Sequence, residues 1–228
     1  IRFDQNRKQI CLVFTGGDFA QGGSVILKTL KKHQIQGAFF FTGDFYRNPE
    51  FAKTIKELRK AGHYLGPHSD QHLLYAPWDN RDSLLVTREQ FNQDLSDNFK
   101  EMARFGIDKS QASYFLPPFE WFNDTIAQWT RELGLTLINF TPGTSSNQDW
   151  TIPELTRQYI TSDTIYQRIL DYEEKSPTGL NGFFLLTHIG ADPRRPDMFY
   201  HRLDKLIKEL KNRGYSFVPL SRAIPIKP

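Results

Sequence analysis

Apolar residues in this chain form short runs separated by longer amphipathic stretches. Residues 10–15 make a nearly continuous apolar run closed by Gly16-Gly17, which predicts a short buried strand. Ser24 then stands as the cap of a helix carrying Val25, Ile26, Leu27 and Leu30, and residues 38–41 predict a second buried strand. Phe51, Ile55 and Leu58 give the next helix one apolar stripe, and Tyr64-Leu65 lead into His68 and His72. Asp82 or Ser83 opens a longer helix in which Phe91, Leu95, Phe99 and Met102 recur at spacings of four, four and three. The second half repeats the alternation. Residues 113–116 are strand-like and end at Pro117-Pro118, 126–133 are helical, and 136–140 are strand-like. Helices over 163–174 and 203–210 flank an apolar run at 183–187, and residues 215–220 make a last strand.

Strand–helix alternation at this rhythm predicts one α/β domain over 1–228, with a parallel sheet or barrel wrapped in helices. In such folds the loops at the carboxyl ends of the strands carry the chemistry. The chemically suggestive positions fall there: 16–18, 68–72, 117–121 and His188. The 39% hydrophobic and 14% aromatic content, with 19 Phe, fills a sizeable core and leaves rings over for a groove. The net charge is only +3, with Lys and Arg scattered among Asp and Glu. No basic stripe tracks phosphates, so nucleic acid is not an expected partner. The single cysteine, Cys11, excludes an internal disulfide framework and reads as a buried, inert thiol. No apolar run reaches the roughly 18 residues of a membrane span. The chain shows no signal peptide and starts abruptly at Ile1, as a mature or trimmed chain would, so earlier removal of an export signal stays open. Nothing in the pattern sets an oligomeric state.

His68 and His72 are four residues apart, so on a helix, or a turn leading into one, they share a face. Two imidazoles so placed can share a metal ion, and imidazole suits zinc and other late divalent metals. The competing reading is a pair of loop histidines. His33 and His63 read as surface residues following helices.

With these positions in hand, the chain resembles the polysaccharide deacetylases of the NodB-homology type, carbohydrate esterase family 4, over about residues 10–224. Leu12-Val13-Phe14-Thr15-Gly16-Gly17 stands where that family has Thr-Phe-Asp-Asp-Gly, and residues 37–43 are similar to its second strand. Ala61-Gly62-His63 followed by His68-Ser69-x-x-His72 resembles its metal motif, and Phe115-Leu116-Pro117-Pro118-Phe119 its Arg-Pro-Pro-Tyr motif. Leu185-Leu186-Thr187-His188 is similar to the closing Leu-x-His, and residues 211–221 to its C-terminal strand. The resemblance implies a distorted (β/α) barrel that removes acetyl groups from glycans. It also implies an Asp-His-His site for a divalent metal, zinc first with cobalt or nickel as alternatives. An Asp serves as base, and the His of the last motif, here His188, protonates the leaving group. It places the Phe119 N–H at the oxyanion and, for a glycan-directed protein, favours export to the periplasm or cell surface.

The chain departs from the pattern at its centre. Thr15 and Gly16 occupy the positions of the paired aspartates, and Leu116 that of the arginine. The fourth motif's Asp has no clear equivalent, although Gln148-Asp149-Trp150 lies near its place. Asp18, two residues past Gly16 in a glycine-loosened loop, is the candidate third metal ligand beside His68 and His72, or the acid-base group, or a helix-capping carboxylate. Glu120 is the candidate base, or a solvated loop residue. Asp70 ranks behind both, because helical geometry turns it away from the metal. Phe119, Trp121 and Trp150 are the candidates for stacking on sugar rings, with a rigid turn over an aromatic core as the other reading of 117–122. Two functions follow: a metal-dependent hydrolase that deacetylates an acetylated glycan or oligosaccharide, and a catalytically silent glycan-binding module on the same fold. A hydrolase for another acyl or C–N bond is a weaker third.

Overall fold

In the computed structural model, which describes residues 1–225, β1 (Gln9–Gly16) runs through the middle of a parallel sheet. It pairs on one side with β2 (Ala38–Phe41), in register from Val13–Ala38 to Gly16–Phe41. On the other it pairs with β6 (Phe183–His188), from Ile10–Phe183 to Thr15–His188. Outside β2 lies β3 (Tyr64–Pro67), and the short β7 (Ser216–Phe217) pairs with the start of β1. A second parallel pair joins β4 (Tyr114–Phe115) to β5 (Thr136–Leu137). The Leu116 N–H reaches the Pro67 carbonyl at 3.4 Å, and the Thr141 N–H reaches the Phe184 carbonyl at 3.0 Å. These contacts close the sheet into the irregular (β/α) barrel that the motifs imply.

The pleat explains the apolar runs. Cys11 and Val13 point into the lumen with Phe40, Leu116, Phe184 and Leu186. Ile10, Leu12 and Phe14 point outward beneath the helices. A strand buried on both faces has no polar alternation to show. Each fully buried Phe contributes roughly 1.5–3 kcal/mol by area. The outer layer consists of α1 (Gly23–His33), α2 (Gly43–Arg47), α3 (Ala52–Lys60), α4 (Arg88–Ala103), α5 (Asp124–Glu132), α6 (Ser162–Lys175), α7 (Leu203–Asn212) and α8 (Leu220–Ala223). Cys11 is buried, and that burial pushes its thiol pKa up to about 12, which keeps it inert. Among the described residues no helix is long and apolar enough to cross a membrane.

Several expected boundaries move. Ser24 lies inside α1, whose cap is Gly22. The long helix begins at Arg88 rather than near Asp82, because Thr87 and Gln90 form a reciprocal capping box. The expected strand at 215–220 shortens to Ser216–Phe217, and Leu220 opens α8. His63 is buried, not on the surface: its Nδ1 accepts the Gly37 N–H at 3.1 Å at the amino end of β3.

Candidate active site

The carboxyl ends of β1, β3 and β6 open into a cavity of about 640 Å³. Thr15, Gly16, Asp18, His68, His72, Trp150 and His188 all line it. Thr15 and His188 are register partners on neighbouring parallel strands, so their side chains lie side by side at the cavity floor. Thr15 Oγ1 is buried without a hydrogen-bond partner among the described residues. Gly16 alternates to the opposite face. A Cβ there would fall 2.7 Å from Ile189 Cγ2 and 3.0 Å from both Phe41 Cδ1 and Phe45 Cε2. Neither Gly16 nor Gly17 has a positive φ. Close approach, not backbone freedom, requires the glycine at 16.

The two histidines sit on an irregular loop after β3 rather than on a helix, and buried polar groups hold that loop in shape. The His68 N–H donates to Asn98 Oδ1 at 2.9 Å, and the Asp70 and Gln71 N–H groups donate to Asp94 Oδ1 at 3.1 and 3.2 Å. Ser69 and His72 carry φ values of 72° and 54°, so the loop is locally strained. The result brings the imidazole centroids within 5.0 Å. His68 Nδ1 lies 2.7 Å from the Leu116 carbonyl, which fixes that nitrogen as the N–H and leaves Nε2 with its lone pair. Burial, with the nearby His188 charge, holds His72 down to about 4; burial and the His72 charge hold His68 well below the usual imidazole range. Both rings are therefore neutral donors near neutral pH. Asp70 turns away, not because of a helix but because it pairs with Arg47 at 2.7 Å.

Across the cavity, Asp149 grips His188 twice. Its carboxylate accepts the His188 backbone N–H at 2.9 Å and lies 2.7 Å from Nδ1. Burial disfavours the imidazolium, but the charge and hydrogen bond of Asp149, with the charge of Glu120, outweigh it and raise the His188 pKa. Asp149 thus fills a role that the sequence did not assign. Its proximity to the expected place was the only sequence signal. Glu120 is partly buried beside His188 and Asn147. Burial, with the Asp149 charge, raises its carboxyl pKa against the opposing effects of His188 and Asn147. Phe119 and Glu120 both have left-handed φ, 58° and 53°, which turns the Pro118–Glu120 segment sharply beside, but not among, the residues that line the cavity. The Phe119 ring comes within 4.4 Å of the His72 ring.

Asp18 is exposed and lines the same cavity, but it does not join the histidines. Among the described residues no three His, Cys, Asp or Glu side chains gather closely enough to hold a metal ion. Two neutral imidazoles suit a late divalent ion, and a third donor has to come from Asp18 or from solvent.

A family profile described as polysaccharide deacetylase matches residues 3–138. A peptidoglycan-N-acetylglucosamine deacetylase of Bacillus cereus is 25% identical over 223 residues, covering 97% of this chain and 91% of that protein. Among solved structures, a CE4 family pseudoenzyme from Bacillus anthracis superposes with a TM-score of 0.72 at 18% identity, over 96% of this chain and 66% of the other. A family 4 acetyl xylan esterase from Clostridium thermocellum, solved with a cobalt ion, gives a TM-score of 0.71 at 22% identity, over 94% and 89%. At these identities the structural likenesses establish the fold, a mostly parallel (β/α) barrel of the NodB type.

Proposed function

Because the chain belongs to the polysaccharide deacetylase family, we propose that it removes acetyl groups from an acetylated glycan bound in this cavity. The observation that carries the reading is the placement of a neutral imidazole pair and a His–Asp dyad around one cavity. His68 and His72 are the residues to hold a divalent metal, zinc before cobalt or nickel, with the third donor supplied by solvent or by Asp18 once its side chain swings toward them. Such an ion, when bound, supplies Lewis-acid polarisation of the acetyl carbonyl and acidifies water. Glu120, made more basic by its burial, takes the proton of the attacking water. The Phe119 N–H, which has no hydrogen-bond partner among the described residues, donates to the developing oxyanion. His188 then gives its proton to the departing sugar nitrogen or oxygen as the acetyl C–N or C–O bond breaks, and acetate leaves. Asp149 holds the His188 ring oriented and favours its protonated form for that step. Phe119 and Trp150, both exposed, provide ring faces for sugar, as does the partly buried Trp121. The similarity to peptidoglycan deacetylases favours export to the periplasm or cell surface as the place of work.

Two observations favour a second reading, a silent glycan-binding module: the orphaned Thr15 hydroxyl and the filled space beside Gly16. One experiment separates the two. The purified protein is loaded with zinc, cobalt or nickel, its bound metal is quantified, and acetate release is followed from N-acetylated chitooligosaccharides and acetylated xylan. Stoichiometric metal that is lost in His68→Ala/His72→Ala, with metal-dependent acetate release, supports the hydrolase. Saturable glycan binding without acetate overturns it in favour of the binding module.

A further inference from the structure

Outside the cavity, a cluster of rings reaches it through Phe119, and one member, Trp78, has no part in the catalytic reading. Trp78 is 58% exposed and Phe119 42% exposed. The Trp78 centroid lies 5.7 Å from Phe119 and 5.4 Å from Trp121. The sequence positions are 41 and 43 residues apart, so tertiary structure alone makes the patch.

The rings are held, not merely exposed. The Trp121 indole N–H donates to the Pro77 carbonyl at 3.3 Å. Arg81 lies 4.3 Å over the Trp121 ring and donates from Nε to the Phe122 carbonyl at 2.7 Å. Asn123 Nδ2 reaches the Arg81 and Ser83 carbonyls, both at 3.0 Å. The 77–83 loop is thereby fastened to the 119–123 segment. One face of Trp121 is covered by the guanidinium, whereas Trp78 is open to solvent. The Arg81 terminal nitrogens have no further partner among the described residues.

Single exposed apolar side chains are ordinary, but a contiguous, pre-formed aromatic surface leading out of a cleft is not. A flat ring beside unpaired N–H donors matches a sugar unit, which offers an apolar C–H face ringed by hydroxyl acceptors. We propose that Trp78, with Phe119, Trp121 and Arg81, forms an extended subsite for the sugars that follow the acetyl-bearing unit, so that the protein selects a glycan chain over a single sugar. This rests on the cavity being the place where the acetylated sugar binds, and it holds whether or not that sugar is hydrolysed. The pre-set rings lose little conformational freedom on binding, which lets stacking appear as affinity.

The test is isothermal titration calorimetry of the metal-loaded protein with N-acetylglucosamine, its β-linked pentamer and an acetylated xylohexaose. At least one oligomer is expected to bind tenfold or more tightly than the monosaccharide. Trp78→Ala should abolish that advantage, and Trp78→Phe should keep most of it; an unchanged thermal midpoint verifies that both variants are folded. Oligomer preference without acetate release would overturn the hydrolase reading and leave the subsite standing. Equal affinity for long and short sugars, binding of none, or an oligomer preference unchanged in Trp78→Ala would each overturn the subsite. Acetate release alongside any of these would leave the catalytic reading intact.

Discussion

Restoring the family's second aspartate by Gly16→Asp should damage this protein rather than repair it. The position points away from the cavity, and a Cβ there meets Ile189 Cγ2 at 2.7 Å with Phe41 and Phe45 ring atoms at 3.0 Å. All three neighbours are fully buried and close-packed. Overpacking of this kind costs about 1–3 kcal/mol, and a carboxyl group desolvated against apolar walls without a partner adds about 1–3 kcal/mol more. The sum, about 2–6 kcal/mol, corresponds to a fall in Tm on the order of 10 °C for a domain of this size. Thermal unfolding followed by circular dichroism reads it directly. Ile189→Ala is destabilising by itself, yet combined with Gly16→Asp it should cost about 1–3 kcal/mol less than the sum of the two, because the smaller side chain frees the clashing space. Thr15→Asp offers the contrast. Its side chain faces the cavity beside His188 and replaces a hydroxyl that already lacks a partner, so it should lower stability by under about 2 kcal/mol. It should also raise metal content. A Gly16→Asp protein that unfolds within about 1 kcal/mol of the parent and binds one metal would refute this account.

Further expectations concern groups held in unusual protonation states or buried without freedom to move. Asp149→Asn removes a charge that favours the protonated His188, so the His188 pKa should fall and the basic limb of kcat/KM, or of glycan affinity, should shift to lower pH by about one unit; a limb that stays in place removes His188–Asp149 from the proton-donating role. His63, at the opposite end of the barrel, is held by burial from 6.5 to about 4. Its contribution to stability is complete above the unfolded value and is lost as pH falls from about 6.5 to about 4, by up to about 3 kcal/mol. His63→Asn, which keeps an acceptor for the Gly37 N–H, should flatten that acid limb in urea titrations at stepped pH; an identical slope would mean other groups drive it. Arg195 is fully buried and donates to the carbonyls of Thr151 at 2.6 Å and Ile160 at 2.9 Å, tying down the segment after Asp149. Arg195→Met strands those carbonyls and should cost about 3 kcal/mol or more, with faster hydrogen exchange over 149–162; unchanged exchange there would show the segment is held otherwise.

The sequence by itself determined the elements whose signals are local. The runs at 10–15, 38–41 and 183–187 had to be buried strands, since so many adjacent apolar side chains can be covered only by neighbours on both faces. The helical stripes of α3, α4 and α7 were legible for the same reason of periodicity, as was the order of motifs that placed His68, His72 and His188 at one end of a barrel. The short strands β5 and β7 were overextended, because two-residue ladders depend on their partners and not on their own composition. Tertiary structure alone paired Asp149 with His188 across 39 residues and buried His63 behind β3. It turned Gly16 toward Ile189 while Thr15 faced the cavity, and it set Trp78 against Trp121. Each of these depends on which face of an element meets which distant neighbour. Periodicity along the chain fixes that a face exists, but only the packed barrel fixes what stands opposite it.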